Sequence, residues 1–153
     1  MQNNKIEILP AVVGDLETIA NIESLSGLNG WGIENYNSEL GKSENLFYVA
    51  KFGGKTIGFI LARPITPVVE IFNIAVLPDF REKGIGRILF DKILERAVEH
   101  NCLECWLEVR ESNRAARRFY EKLGFENVGR RKNYYSFPVE DALLLEYKIV
   151  RKP

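Results

Sequence analysis

The sequence predicts one mixed α/β domain: a central sheet of seven strands with about four helices spread over both of its faces. Two observations carry this. Segments that alternate apolar and polar residues, as strands do, take turns with segments whose apolar residues recur every three or four positions, as in helices. The 153 residues also run without an internal repeat, a linker or a low-complexity stretch, and that length suits a single domain over residues 1–153.

The elements follow in order. "KIEILP" reads as a short strand ended by Pro10. Asp15 is placed to cap a first helix, "DLETIANIESL", with Leu16, Ile19, Ile22 and Leu25 on one face. "SGLNGWGIENYNSELGKSE" is rich in Gly, Asn and Ser and reads as loop around a short helix. "NLFYVAKF" and "KTIGFILAR" are strands joined by Gly53-Gly54, a two-residue hairpin signal. "VVEIFNIAV" is a further strand after Pro64 and Pro67. A long helix from about Gly84 to His100 carries Ile85, Ile88, Leu89, Ile93, Ala97 and Val98 at helical spacing. "ECWLEVR" is a strand, and "SNRAARRFYEKLGF" is a helix capped by Ser112 or Asn113 and stopped at Gly124. "ENVGRR" and "DALLLEYKIV" close the sheet around a loop, "KNYYSFPVE".

Composition bounds the function. The 46% hydrophobic content is enough for a core, which argues against disorder. With 21 basic and 21 acidic side chains the formal net charge is zero, and a general nucleic-acid binder needs a basic surplus. No apolar run reaches the ~18 residues of a membrane span, and "MQNNKIEILP" holds no stretch fit for a signal peptide. A cytoplasmic protein is expected. Cys102 and Cys105 stand in C-x-x-C spacing. In a strand they would point to opposite faces, with Cα atoms ~10 Å apart, too far for a disulfide. His100 is the only histidine and no second ligand pair exists, so no metal site is expected.

The stretch "REKGIG", between a strand and a long helix, raises the question of function. A helix N-terminus has unpaired N–H groups and the positive end of the helix dipole, and it binds anions such as phosphates. Glycines let the backbone approach such a ligand. The arrangement is a pyrophosphate cradle or a plain tight turn, and the glycines alone do not decide between them. A nucleotide P-loop is excluded, because no Lys-Ser or Lys-Thr follows. A dinucleotide-binding turn is excluded too, because Leu89 stands at the third glycine site and several strands precede the turn.

"NIAVLPDFREKGIGRILF" resembles the acetyl-CoA-binding motif of the GCN5-related N-acetyltransferases, [QR]-x-x-G-x-[GA]. "WLEVRESNRAARRFYEKLGF" and "RRKNYYSFPVEDALLLEYKI" are similar to the RimI-type enzymes of that superfamily, which acetylate the N-termini of ribosomal proteins. The close match runs roughly from Phe72 to Ile149. The resemblance implies acetyl-CoA as co-substrate, no metal, and direct attack of an amine on the thioester. It implies that the backbone of Ile74, Ala75 and Val76 pairs with the pantetheine arm, with the Val76 N–H as oxyanion donor. Arg81, Glu82, Lys83, Gly84, Ile85, Gly86 and Arg87 would wrap the pyrophosphate, and Asn113 would touch the arm while capping its helix.

For the chemistry, the resemblance implies Glu108 as the base and Tyr120 as the acid at the thioester sulfur. Alternation puts Trp106, Glu108 and Arg110 on one face of their strand. A lone glutamate there would read as a solvated face, and a lone Tyr120 as a core aromatic. An α-amino group with a pKa near ~8 needs only a weak base, and a phenol near ~10 can protonate a thiolate. Trp31, Tyr36, Tyr134 and Tyr135, read as exposed, would line a peptide groove or lie as lids over the core. Trp31 is flanked by Gly30 and Gly32, where RimI-type enzymes usually read Pro-Trp-Ser. The expected acceptor is a protein N-terminus, such as that of a ribosomal protein, with neither nucleic acid nor membrane as partner, on a monomer or weak homodimer. The rival readings are a small-molecule amine acetyltransferase and a CoA-binding regulatory domain without turnover; Glu108 and Tyr120 together speak against the last.

Overall fold

The computed structural model describes residues 5–27 and 30–149. Leu28 and Asn29 of the glycine-rich loop, and Val150 at the end of the last predicted strand, lie outside the described residues. The strands are β1 (Ile6–Pro10), β2 (Leu46–Phe52), β3 (Lys55–Ile65), β4 (Val68–Val76), β5 (Glu104–Arg110), β6 (Glu126–Ser136) and β7 (Val139–Lys148). The helices are α1 (Leu16–Leu25), α2 (Gly32–Leu40), α3 (Ile85–Glu99) and α4 (Arg114–Leu123). The strands form one sheet in the order β1-β2-β3-β4-β5-β7-β6. All pairings are antiparallel except β4 with β5. The expected seven-stranded mixed sheet with four helices is what the chain builds.

The hairpin from β2 to β3 turns at Gly53 and Gly54, with φ of 58° and 78°. Two successive left-handed residues make the turn that suits the twist of paired strands, and glycine adopts that conformation without strain. The helices cover both faces, so the core has two parts. Ile57, Ile60, Leu89, Phe90 and Ile93 join one cluster under α3 and α4. Ile19, Ile22, Val49, Phe59 and Leu61 form the other under α1 and α2. No helix among the described residues is long and apolar enough to cross a membrane.

Several local expectations change. The loop predicted over "KNYYSFPVE" is mostly strand: β6 runs to Ser136 and pairs it with Val139, which leaves Phe137 and Pro138 as the turn. The ladder skips between Arg131 and Tyr135, and this irregularity hid the strand's period. β3 continues through Pro64, which sequence patterning placed beyond the strand. β2 has already ended at the Leu46–Ala62 pair, so a proline here lies on a locally free edge.

Leu25, Ile88 and Val98, assigned to buried helix faces, are exposed. Asp15 does not cap α1. Its carboxylate closes the preceding turn by accepting the Val12 N–H at 2.9 Å. It also accepts the Thr56 hydroxyl at 3.0 Å, with Lys51 Nζ 3.3 Å away. Cys102 precedes β5 instead of lying in it, so the two thiols do not point to opposite faces; both are free and buried in one core cluster. Burial pushes the Cys105 thiol up to about 12, and Cys102 adds to the shift.

Candidate active site

The site is built on the one parallel pairing. β4 and β5 match only at Val68–Glu104, Val69–Cys105 and Glu70–Trp106. Beyond Glu70 the two strands part, while β4 stays paired to β3 as far as Val76 and β5 stays paired to β7 as far as Arg110. A cleft opens between them, lined by Gly27, Phe72, Asn73, Glu108, Val109, Arg110, Asn113, Ala116, Tyr120 and Tyr135.

The parting frees one edge of β4. The Leu77 N–H donates to the Ile57 carbonyl at 2.8 Å, so Leu77 and Ile57 form a hydrogen-bonded antiparallel pair. By alternation Ala75 and Asn73 turn their backbone groups toward β3, whereas Ile74 and Val76 turn theirs toward the cleft. The Val76 carbonyl accordingly accepts from Arg81 Nε at 2.9 Å. The Ile74 and Val76 N–H groups face away from β3, where an extended ligand can pair as a strand would.

The turn that follows has an anion-binding shape. Glu82 and Gly84 are left-handed, with φ of 62° and 81°. Gly84 is the N-cap of α3, and no side chain caps it. The first N–H groups of α3 therefore lack a side-chain partner, at the positive end of a fifteen-residue helix. Lys83 Nζ sits 5.5 Å from the Phe80 ring centroid. Arg87 is exposed and only loosely paired with Asp91, at 3.6 Å. Ile85 sends its side chain into the core, leaving its backbone at the turn. A Cβ on Gly86 would stand 2.7 Å from Phe119 Cζ, so α4 sets that glycine from inside. The Arg81 guanidinium also reaches the end of α1, at Ser26 Oγ (3.0 Å) and the Leu25 carbonyl (3.5 Å). These features fit a pyrophosphate at the turn and an amide-bearing arm along β4.

Glu108 stands on β5 with Trp106 and Arg110 on the expected face; Cys105, Leu107 and Val109 are buried on the other. Arg131 Nε pairs with its carboxylate at 3.0 Å. The Tyr134 phenol also bonds to it and is pushed up to about 12, by that bond first and then by burial. Across the cleft Tyr120 is buried on α4. Burial, and then Tyr135, raises its pKa, which keeps the phenol protonated. Asn113 Oδ1 caps α4 by accepting the Ala116 N–H at 3.1 Å. Gly124, at φ 109°, ends that helix.

Of the four aromatics read as exposed, only Tyr134 is. Tyr135 is buried beneath the Arg110 guanidinium, 4.1 Å from its ring centroid, yet still lines the cleft. Trp31 is half-buried and makes tilted ring contacts with Tyr36 and Phe72. Tyr36 is wholly buried, a correction to the sequence reading. Its hydroxyl, with Glu23 and Asn73, forms a polar group inside the core. Sequence reasoning missed Asn73, Glu23 and Glu70. For Glu70 and Asn73 the signal was present in "VVEIFNIAV", where one charge and one amide interrupt an apolar strand. Glu70 is raised by burial and then by the charge of Glu108, with Arg63 and Arg131 opposing.

Residues 16–125 match the model of the acetyltransferase (GNAT) family. The [ribosomal protein bS18]-alanine N-acetyltransferase of Haemophilus influenzae is 36% identical over 125 residues, 81% of this chain and 84% of that protein. The crystal structure of the ribosomal-protein-S18-alanine N-acetyltransferase from Escherichia coli superposes with a TM-score of 0.84 at 29% identity, covering 97% of each chain. That of Ard1 from Thermoplasma volcanium gives 0.88 at 28%, covering 95% of this chain and 99% of that one. With the split sheet and the glycine turn, these matches establish that the chain belongs to the GNAT family and is an acetyl-CoA-dependent N-acetyltransferase.

Proposed function

We propose that the protein acetylates the N-terminal α-amino group of a protein, with a ribosomal protein of the S18 type as its acceptor. The observation that carries this reading is the pairing of Glu108 and Tyr120 on one cleft, at the point where β4 and β5 part. The likeness to enzymes named for ribosomal alanine acetylation supports the acceptor class.

Acetyl-CoA supplies the acetyl thioester. The turn from Arg81 to Arg87 and the open edge of β4 would hold it, and Asn113 would border its arm. Glu108 takes a proton from the acceptor amine, directly or through water, as the amine nitrogen bonds to the carbonyl carbon. The Val76 N–H donates to the carbonyl oxygen as charge gathers there. Tyr120 gives its proton to the departing sulfur. Trp31, Tyr134 and Tyr135 border the acceptor side, and Tyr36 supports Trp31 from below.

The test is a panel assay with acetyl-CoA, read by thiol release and by product mass. Peptides with ribosomal S18 N-termini are set beside polyamines and amino sugars. Turnover of the S18 peptide well above the small amines is expected. Preference for a small amine would overturn the peptide reading, and acetylation of a lysine side chain alone would overturn the α-amine assignment.

A further inference from the structure

The polar group behind the cleft is a chain with a direction. Glu23 on α1 is 2% exposed, Tyr36 on α2 0% and Asn73 on β4 6%, so the three answer to one another more than to water. The Tyr36 hydroxyl donates to Glu23 Oε2 at 2.5 Å. Asn73 Nδ2 donates to the Tyr36 oxygen at 2.9 Å and lies 3.5 Å from the same Oε2. The Gly32 N–H, at the start of α2, donates to Glu23 Oε1 at 3.1 Å. A phenol has one hydrogen. With that hydrogen on Glu23, the phenolic oxygen can only accept, so the amide end of Asn73 that faces it has to be the NH2 group. Turning the amide over would set its oxygen against two other acceptors. Burial, then the bond and charge of Glu23, push the Tyr36 phenol far upward, with Asn73 opposing, so its hydrogen stays in place at working pH.

Asn73 also lines the cleft beside Glu108 and Tyr120. Its nitrogen is committed inward, so what it offers the cleft is its carbonyl oxygen. Among the described residues the only buried side-chain polar atom without a partner is Arg96 Nε, so Asn73 Oδ1 is not sealed in the core. We propose that Asn73 binds the acceptor, its Oδ1 accepting a hydrogen bond from the amine to be acetylated, and that Tyr36 and Glu23 are positioning residues that hold the amide in that orientation. A primary amine fits this acceptor, because it keeps an N–H to share after one proton has gone to Glu108. The proposal rests on the reading of this cleft as the place of transfer.

The test uses whichever amine the wild-type protein acetylates, so failure of the peptide reading does not remove it. Asn73→Ala is expected to raise the acceptor KM about tenfold to a hundredfold while acetyl-CoA affinity stays at the wild-type value. Tyr36→Phe keeps the ring contacts and frees the amide, so the acceptor KM rises by roughly severalfold; this variant also serves if Asn73→Ala does not fold. In the double variant Tyr36→Phe should add nothing to the Asn73→Ala effect on acceptor KM, because it acts through that amide. Full additivity of the two, or an unchanged acceptor KM in Asn73→Ala, would overturn the proposal.

Discussion

In the proposed reaction Glu108 and Tyr120 divide the proton traffic, and their variants should part company with pH. Glu108→Gln removes the base while keeping an oxygen that Tyr134 can bond to. Turnover should fall by ~10²–10⁴-fold, with acetyl-CoA binding intact and a smaller deficit above pH ~8, where an α-amine is already neutral. Tyr120→Phe should fall without that rescue, because the sulfur needs its proton at every pH; initial rates from pH 6 to 10 check both. Glu70 makes a separate prediction. Its carboxyl is raised in the folded protein, by burial first and Glu108 second. Between its unfolded value near ~4.3 and the folded one, the folded state binds more protons, so stability falls as pH rises through that window. Glu70→Gln should therefore melt above wild type at pH 7.5, with the difference closing by pH 4; equal melting temperatures at both values would contradict the burial argument. At this scale the motif pointed to Glu108 and Tyr120, and the fold brings both to one cleft. The sequence could not show that Tyr36 is buried, because a tyrosine in a glycine-rich loop looks the same whether its partner is water or Glu23.

At the scale of elements, the turn between β4 and α3 makes two different demands for glycine. Gly84 has open space where a Cβ would go but sits at φ +81°. Gly84→Val therefore strains the backbone and should weaken acetyl-CoA binding by distorting the first N–H groups of α3. Gly86 has an ordinary φ but no room. Gly86→Ala should lower stability by ~1–3 kcal/mol through the Phe119 ring, in the absence of any ligand. Titration of acetyl-CoA and apo-protein melting separate the two. The hairpin at Gly53-Gly54, the strand "ECWLEVR" and the α4 boundaries were legible because each has a local cause: paired left-handed glycines, strict alternation, an Asn cap and a Gly stop. The long β6–β7 hairpin was not. Its pairing slips at two places, and no local period survives such slips.

Across the whole molecule the sheet is nearly two sheets, β1-β2-β3-β4 and β5-β7-β6, joined by three matched pairs and the helices beneath. A ligand lying in the cleft touches both parts and stabilises their association. Acetyl-CoA at a hundred times its Kd should add ~2.7 kcal/mol, a rise in melting temperature of about 5–10 °C for a chain of this length. Thermal denaturation with and without the ligand checks this, and desulfo-CoA should do nearly as well, because the proposed grip is on the arm and the pyrophosphate. The split itself was not readable from the strand order, since parting strands carry the same alternation as paired ones.

The seat of the Phe119 ring against Gly86 has a consequence for descent. The two residues stand thirty-three positions apart, yet a Cβ added at Gly86 meets the Phe119 ring. The superfamily pattern allows alanine where Gly86 stands. Lineages of this chain that took that alanine should carry a smaller side chain in place of Phe119, and lineages that kept the ring should keep the glycine. The tie would be visible as correlated change among relatives. In the laboratory, Phe119→Leu should restore stability to Gly86→Ala while costing the parent protein on its own.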